Sequence, residues 1–155
     1  MAFYKDALAG KLQTTQFDFS ERHPYDLSVK KLHYLVNIDT LLHSPSLLLF
    51  DINTLSFCFP YGITEKVYTL CLHINTDLSG KPIADTYIPR SLRSGDASSL
   101  AARSKKVDAV FTKRTDEALY TELIYRRENY DPAQLPAEVV TMLSPALTEA
   151  PDFAV

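Results

Sequence analysis

The feature that most constrains the fold is a clean alternation of side-chain types over residues 66–75. Two interleaved sets make up this run: Tyr68, Leu70, Leu72 and Ile74 in one, and Val67, Thr69, Cys71 and His73 in the other. Because neighbouring residues of a β-strand point to opposite faces of its sheet, a period of two indicates a strand with one buried face. The first set is the more apolar, so it predicts the face that packs on the core.

Turn-forming residues bracket this strand and place it in the middle of a series. Pro-Tyr-Gly at 60–62 precedes it, and Asp-Leu-Ser-Gly-Lys at 77–81 follows it. An apolar run over 47–59 and a further strand near 83–88 lie beyond these turns, which predicts a hairpin across 60–65. Successive strands joined by short turns indicate an antiparallel meander rather than the parallel sheet of a nucleotide-binding fold.

The other segments are less regular. Their predicted elements are a helix over 2–12, a strand over 14–20, a basic loop with a short helix from Asp96 over 90–106, a strand over 107–111, and helices over 115–129 and 137–143. In the helix over 115–129, Asp116 near the start and Arg127 near the end complement the helix dipole. Residues 29–42 fit both the period of two of a strand and the period of about 3.6 of a helix. The alternation there favours a strand, and a helix stays open as the alternative.

Length and composition fit one globular domain, since the chain has 155 residues and 46% of them are apolar. The predicted fold class is α+β, a single domain with an antiparallel meander packed against two or three helices. Residues 1–130 are predicted to form the compact domain. Residues 131–155 carry four of the nine prolines, four acidic residues and no basic residue. They are predicted to form an extended acidic tail that docks or stays flexible.

The sequence also bears on compartment and redox state. No apolar run approaches the roughly 20 residues that a bilayer span needs. The start of the chain lacks the basic and then apolar pattern of a secretory signal, which predicts a cytoplasmic protein without a transmembrane segment. Cys58 and Cys71 have no C-x-x-C neighbour and are predicted to be free thiols buried among apolar residues.

Motifs typical of catalysis or metal binding are absent from the sequence. The four glycines stand too far apart for a phosphate-binding loop, and no two of the four histidines lie within four residues of each other. Residues 75–80 resemble the first half of a calcium loop, but Thr86 stands where a bidentate Glu is needed, so a plain hairpin turn is predicted. The sequence therefore predicts no catalytic residue, no metal site and no cofactor.

Charge is distributed unevenly along the chain. The net charge is −3, yet residues 90–114 carry +5 and the rest of the chain carries −8. The predicted anion-binding or partner-binding residues are the seven cations of this segment: Arg90, Arg93, Arg103, Lys105, Lys106, Lys113 and Arg114. Such a segment can neutralise phosphates of nucleic acid or of an anionic membrane surface, or it can contact acidic protein surfaces.

These observations favour a non-enzymatic interaction or assembly protein, a small structural or accessory factor of the viral matrix or bacterial accessory kind. Its partner would be another protein or a second copy of the chain in a homo-oligomer, bound through the basic segment and the acidic tail. A nucleic-acid-binding protein that uses residues 90–114 is the alternative. A small hydrolase is the second alternative, and it would draw on a pocket at one edge of the sheet built from His33, His73, Asp39, Asp51 and Asp77.

Overall fold

The computed structural model describes residues 24–148 and the single positions Ala9, Lys11 and Glu21, with the backbone alone at Ala84 and Asp85. The predicted helix over 2–12 and the predicted strand over 14–20 therefore lie outside the continuous described part of the chain.

Five antiparallel strands form the main sheet, in the order β4-β3-β2-β1-β5. Their bounds are β1 Leu47–Asn53, β2 Cys58–Thr64, β3 Tyr68–Thr76, β4 Pro82–Ser94 and β5 Ala101–Lys106. Short turns join β1 to β4 in sequence, and β5 pairs with the free side of β1. The antiparallel meander and the α+β fold class are confirmed.

Strand β2 runs straight through the residues that were predicted to form a turn. The β1–β2 turn lies instead at 54–57, where the amide of Thr54 donates to the carbonyl of Phe57 at 2.9 Å. Proline lacks the N–H that a central strand needs, but Pro60 stands opposite Asp51, and these two residues are not partners in the ladder. The predicted hairpin across 60–65 is therefore misplaced.

The core lies on the face opposite to the one predicted for β3. Leu49, Gly62 and Cys71 are in register on neighbouring strands, and all three are buried. In the set that was predicted to face the core, Tyr68 at the start of the strand is buried, but Leu70, Leu72 and Ile74 are only half-buried. The Cys71 face is the buried one because a later segment of the chain covers it, and Ala97 of that segment packs in the core with Leu49.

That covering segment is the connection 95–100 between β4 and β5, which lie at opposite edges of the sheet. The hydroxyl of Thr69 fixes it by donating to the Gly95 carbonyl at 2.9 Å and accepting from the Ala97 amide at 3.1 Å. An extended residue spans about 3.5 Å and strands lie about 4.8 Å apart, so these six residues are just long enough to cross the sheet from β4 to β5 when nearly extended. Much of the predicted basic loop over 90–106 is therefore strand, with a 3₁₀ turn at Ser98–Leu100.

From residue 24 onward, where the continuous description begins, two helices precede the sheet: α1 Tyr25–Val36 and α2 Thr40–His43. The favoured strand over 29–42 is therefore wrong, and the helical alternative is right. Tyr34 shows why, because its ring stacks on Tyr68 with centroids 4.9 Å apart and its hydroxyl lies 2.9 Å from that of Ser94. Lys31 lies three residues before Tyr34, and only helical spacing brings both to the side of this segment that faces β4.

Beyond β5, strands β6 Ala109–Thr112 and β7 Glu122–Arg126 form a second, two-stranded antiparallel sheet. The strand predicted over 107–111 is confirmed, and the helix predicted over 115–129 is wrong. The acidic residues that were predicted to begin this helix lie in a turn. There the Glu117 carboxylate accepts from the Arg114 amide at 2.9 Å and from the Thr121 hydroxyl at 2.9 Å.

The described part of the tail contains helices α3 Ala137–Val140 and α4 Pro145–Thr148, the first within the helix predicted over 137–143. Leu143 is buried and forms a bridge with Tyr120. A domain boundary at residue 130 stays a prediction. In the part of the chain that the structure describes, none of the helices has both the length and the apolar character needed to cross a membrane.

Candidate active site

A cationic cleft lies between helix α1 and strand β4. It has a volume of about 570 Å³, and three cations line it: Lys31, Arg90 and Arg93. The other lining residues are Leu27, Phe57, Phe59, Ser91, Leu92 and Ser94. No carboxylate is among these described residues, so the described lining carries three positive charges and is suited to an anion.

A β-bulge in β4 shapes this cleft. Cys71 pairs with Ser91 while the next residue of β3, Leu72, pairs with Pro89, so Arg90 is the extra residue on β4. Bulges re-aim side chains and commonly occur at functional sites. Arg93 follows on the same strand and acts on Cys71: burial raises the pKa of that thiol, and the positive charge of Arg93 partly opposes the increase.

An acid–base cleft of about 330 Å³ lies next to the cationic cleft. Its chemically active lining groups are Asp51 on β1, Cys58 on β2 and His73 on β3, and Asn53, Phe59, Pro60 and Ile74 complete the lining. Phe59 lines both clefts, so the two clefts adjoin at this residue. The strand register agrees with this. Ser91, which lines the cationic cleft, pairs with Cys71, and His73 lies two residues further along β3.

His73 is held in one ring orientation. Its Nδ1 lies 3.0 Å from the carbonyl oxygen of Ile74, and the imidazole is exposed. A carbonyl oxygen can only accept a hydrogen bond, so Nδ1 carries a proton and donates it. Nε2 is therefore the atom that gains or loses a proton, which suits His73 to proton transfer.

Asp51 has an unusual backbone conformation. Its φ is 52°, in the left-handed region that side-chain-bearing residues rarely adopt. The position opposite Pro60 leaves Asp51 outside the ladder, and the Asn53 side-chain amide donates to its carbonyl at 3.2 Å. Such backbone strain typically costs 1–3 kcal/mol and clusters at functional sites.

The structure separates the seven predicted cations. Arg90 and Arg93 line the cationic cleft, whereas the three on β5 lie at the opposite edge of the sheet: Arg103, Lys105 and Lys106. The Arg103 guanidinium lies over the Phe50 ring at 4.3 Å. The last two serve the turn after β6, where Lys113 donates to the Ala118 carbonyl at 2.9 Å and Arg114 pairs with Asp116 at 3.2 Å. Lys31 is the cation that the sequence analysis missed.

The five residues of the predicted hydrolase pocket are also dispersed. Asp51 and His73 share the acid–base cleft, whereas His33 lies on α1 and Asp39 precedes α2. Asp77 belongs to the predicted hairpin turn, and its carboxylate accepts from the Ser79 hydroxyl and amide and from the Lys81 amide. These bonds, the Ser79 hydroxyl first, lower the pKa of Asp77.

Two further predictions concern thiols and metals. Cys71 is buried as predicted, but Cys58 is exposed, because it begins β2 at the rim of the acid–base cleft. Across the described residues, no three His, Cys, Asp or Glu side chains converge as a metal site would require.

Comparison with known protein families identifies a family for most of the chain. Residues 1–129 match the model of PBECR4, the phage-Barnase-EndoU-ColicinE5/D-RelE like nuclease 4 family. No curated protein and no solved structure matches the chain. The match overturns the predictions of a non-enzymatic assembly protein and of a structural, self-assembling role, because the family is one of nuclease-like enzymes. The matched residues include both clefts and most of the chain, and the protein therefore belongs to the PBECR4 family of nuclease-like proteins.

Proposed function

We propose that this protein is a ribonuclease whose acid–base cleft breaks the phosphodiester bond and whose cationic cleft holds the phosphates. One observation carries the proposal: a carboxylate and an oriented imidazole line a cleft that adjoins a cleft with three cations. Membership of a nuclease-like family supports the reaction class. RNA is the favoured substrate because it supplies its own nucleophile, the 2′-hydroxyl, so that the protein needs only groups that move protons.

The two proton-transfer groups divide the work by their chemistry. The Asp51 carboxylate accepts the proton of the 2′-hydroxyl, and that oxygen attacks the adjacent phosphorus. As the new bond forms, the bond from phosphorus to the 5′-oxygen breaks, and the protonated Nε2 of His73 gives its proton to the departing oxygen. The products are a 2′,3′-cyclic phosphate and a free 5′-hydroxyl, and solvent exchange restores both groups.

The cationic cleft contributes electrostatically. The phosphate carries more negative charge in the transition state than in the substrate, and pre-positioned positive groups stabilise that charge without reorganisation. The bulge in β4 positions Arg90. The Tyr34–Ser94 contact holds α1 against β4 and so positions Lys31. The positive groups therefore both bind the strand and promote its cleavage.

Cleavage of a short oligonucleotide tests the proposal. His73→Gln and Asp51→Asn should each slow cleavage of single-stranded RNA about a hundredfold to ten-thousandfold, the usual contribution of a positioned acid or base. The matched controls, His33→Gln on α1 and Asp116→Asn in the turn after β6, remove the same groups outside the clefts and should leave the rate unchanged.

Substrate chemistry supplies the second arm of the test. An oligonucleotide with a 2′-deoxy sugar on the 5′ side of the scissile bond should resist cleavage, and the ribose product should end in a cyclic phosphate. Equal cleavage of the deoxy strand would show a different nuclease mechanism. Full activity of both cleft variants would show that the acid–base cleft is not the active site.

A further inference from the structure

The β1–β2 turn places an aromatic ring in water at the rim of the cationic cleft. Phe57 is 64% exposed although it is a large apolar side chain, and it lines the cleft together with Phe59. Exposed apolar residues are common singly, but this ring stands beside three cations that suit phosphates. Charge and ring together match the two parts of a nucleotide, its phosphate and its base.

The turn that carries Phe57 is tightly held. The Thr54 hydroxyl accepts from the Phe57 amide at 3.0 Å and donates to the Phe57 carbonyl at 2.8 Å. The Thr54 amide donates to the same carbonyl at 2.9 Å. The backbone of Phe57 is therefore fixed by three bonds to one residue, so a ligand that meets this ring has little backbone ordering to impose.

Phe59 supports the Phe57 ring from the protein side. Their centroids are 6.3 Å apart with the ring planes 40° from each other, and Phe59 is only 4% exposed. The solvent-facing surface of Phe57 is the part that this contact leaves open. An aromatic surface of this kind attracts a nucleobase, because every base offers a flat π-face.

We propose that Phe57 stacks an unpaired nucleobase of the bound strand, so that the protein selects single-stranded over double-stranded RNA. This inference rests on the proposed ribonuclease function, because the cations of the cationic cleft place the strand. A base inside a duplex is already stacked on both sides and must be unstacked before it can meet Phe57. An unpaired base meets the ring without that penalty.

Binding to a strand that cannot be cleaved tests the stacking separately from the chemistry. The probe is single-stranded 2′-O-methyl RNA that carries the fluorescent base 2-aminopurine, because methylation removes the nucleophile and stacking quenches the fluorophore. Phe57→Ala should weaken binding about tenfold to a hundredfold and abolish the quenching. Phe57→Tyr keeps an aromatic ring and should bind like wild type.

Leu55→Ala is the matched control. Leu55 lies on the same turn and is fully exposed, yet it does not line either described cleft. It should leave binding, quenching and the unfolding midpoint unchanged, since its side chain is fully exposed. For the duplex form of the probe, Phe57→Ala should change the affinity less than twofold.

The outcomes separate the two proposals. Unchanged affinity and quenching in Phe57→Ala overturn the stacking role, even where His73→Gln abolishes cleavage. Loss of quenching in Phe57→Ala, together with full cleavage by His73→Gln, upholds stacking and overturns the proposed active site. An equal loss of affinity in Leu55→Ala would indicate a general apolar contact of this turn and would also overturn the specific role of Phe57.

Discussion

Gly62 is the position where a single methyl group most directly tests the packing beneath the clefts. It lies in the middle of β2, in register with Leu49 on one side and Cys71 on the other. A Cβ added there would lie 2.5 Å from Cδ1 of Ile52, well inside the distance at which two carbon atoms repel. Ile52 is fully buried, so its side chain has nowhere to move without disturbing the core.

The size of the effect follows from two opposing contributions. Overpacking a well-filled core usually costs about 1–3 kcal/mol. Replacing glycine by alanine restricts the unfolded chain and returns about 0.4–1 kcal/mol. Gly62→Ala should therefore lower the free energy of unfolding by about 1–2 kcal/mol. Ile52→Val removes the atom that clashes and should alone cost about 0.5–1.5 kcal/mol.

The double variant carries the decisive result. In the Gly62→Ala background, Ile52→Val should cost nothing or restore stability, which is a coupling energy of about 1 kcal/mol or more. Urea unfolding followed by circular dichroism and by tyrosine fluorescence gives the four free energies, since the chain has nine Tyr and no Trp.

Gly80 provides a glycine control with a different cause. Its φ is 84° and an added Cβ would meet nothing within 4 Å, so Gly80→Ala should destabilise through the backbone alone. Its effect should add to that of Ile52→Val without coupling. Strict additivity of Gly62→Ala with Ile52→Val, or a gain in stability from Gly62→Ala alone, would refute the packing argument.

Three other predictions concern charge, thiols and acid. Replacing the three cations of the cationic cleft with Gln should weaken binding of single-stranded RNA and reduce the slope of log affinity against log salt by about 2, whereas the same change at the three β5 cations should affect it less. In the native protein, a thiol reagent should modify Cys58 rapidly and block cleavage, while Cys71 should react only on unfolding; Cys58→Ser should retain activity under the reagent. Because the pKa of Asp77 is lowered in the folded state, its stabilisation is complete above about pH 4 and is lost as pH falls through that lowered pKa. Asp77→Asn should therefore flatten the acid limb of the melting temperature measured from about pH 5 to pH 2, and an unchanged limb would refute the link.

Elements whose hydrogen bonds are satisfied locally were predictable from the sequence. The turn at 77–81 is one, because the Asp77 carboxylate binds groups within four residues of it. Helix α1 and strand β7 were not, because residues 29–42 fit both the strand and the helix period and residues 115–129 have charges that suit a helix. Tertiary contacts decide between them: Tyr34 has Tyr68 to stack on only as part of a helix, and β7 has β6 to pair with only as a strand.

The basic segment shows why a site cannot be located from charge along the chain. Residues 90–114 are contiguous in sequence, but β4 and β5 lie at opposite edges of the sheet, so their cations lie apart. The cleft instead takes its third cation, Lys31, from a helix that was predicted as a strand. One member of the acid–base pair, Asp51, stands out in the sequence itself. Asp51 ends the longest apolar run in the chain, and its side chain is exposed, so the strand bears no cost of burying a carboxylate and this charge is available to the acid–base cleft.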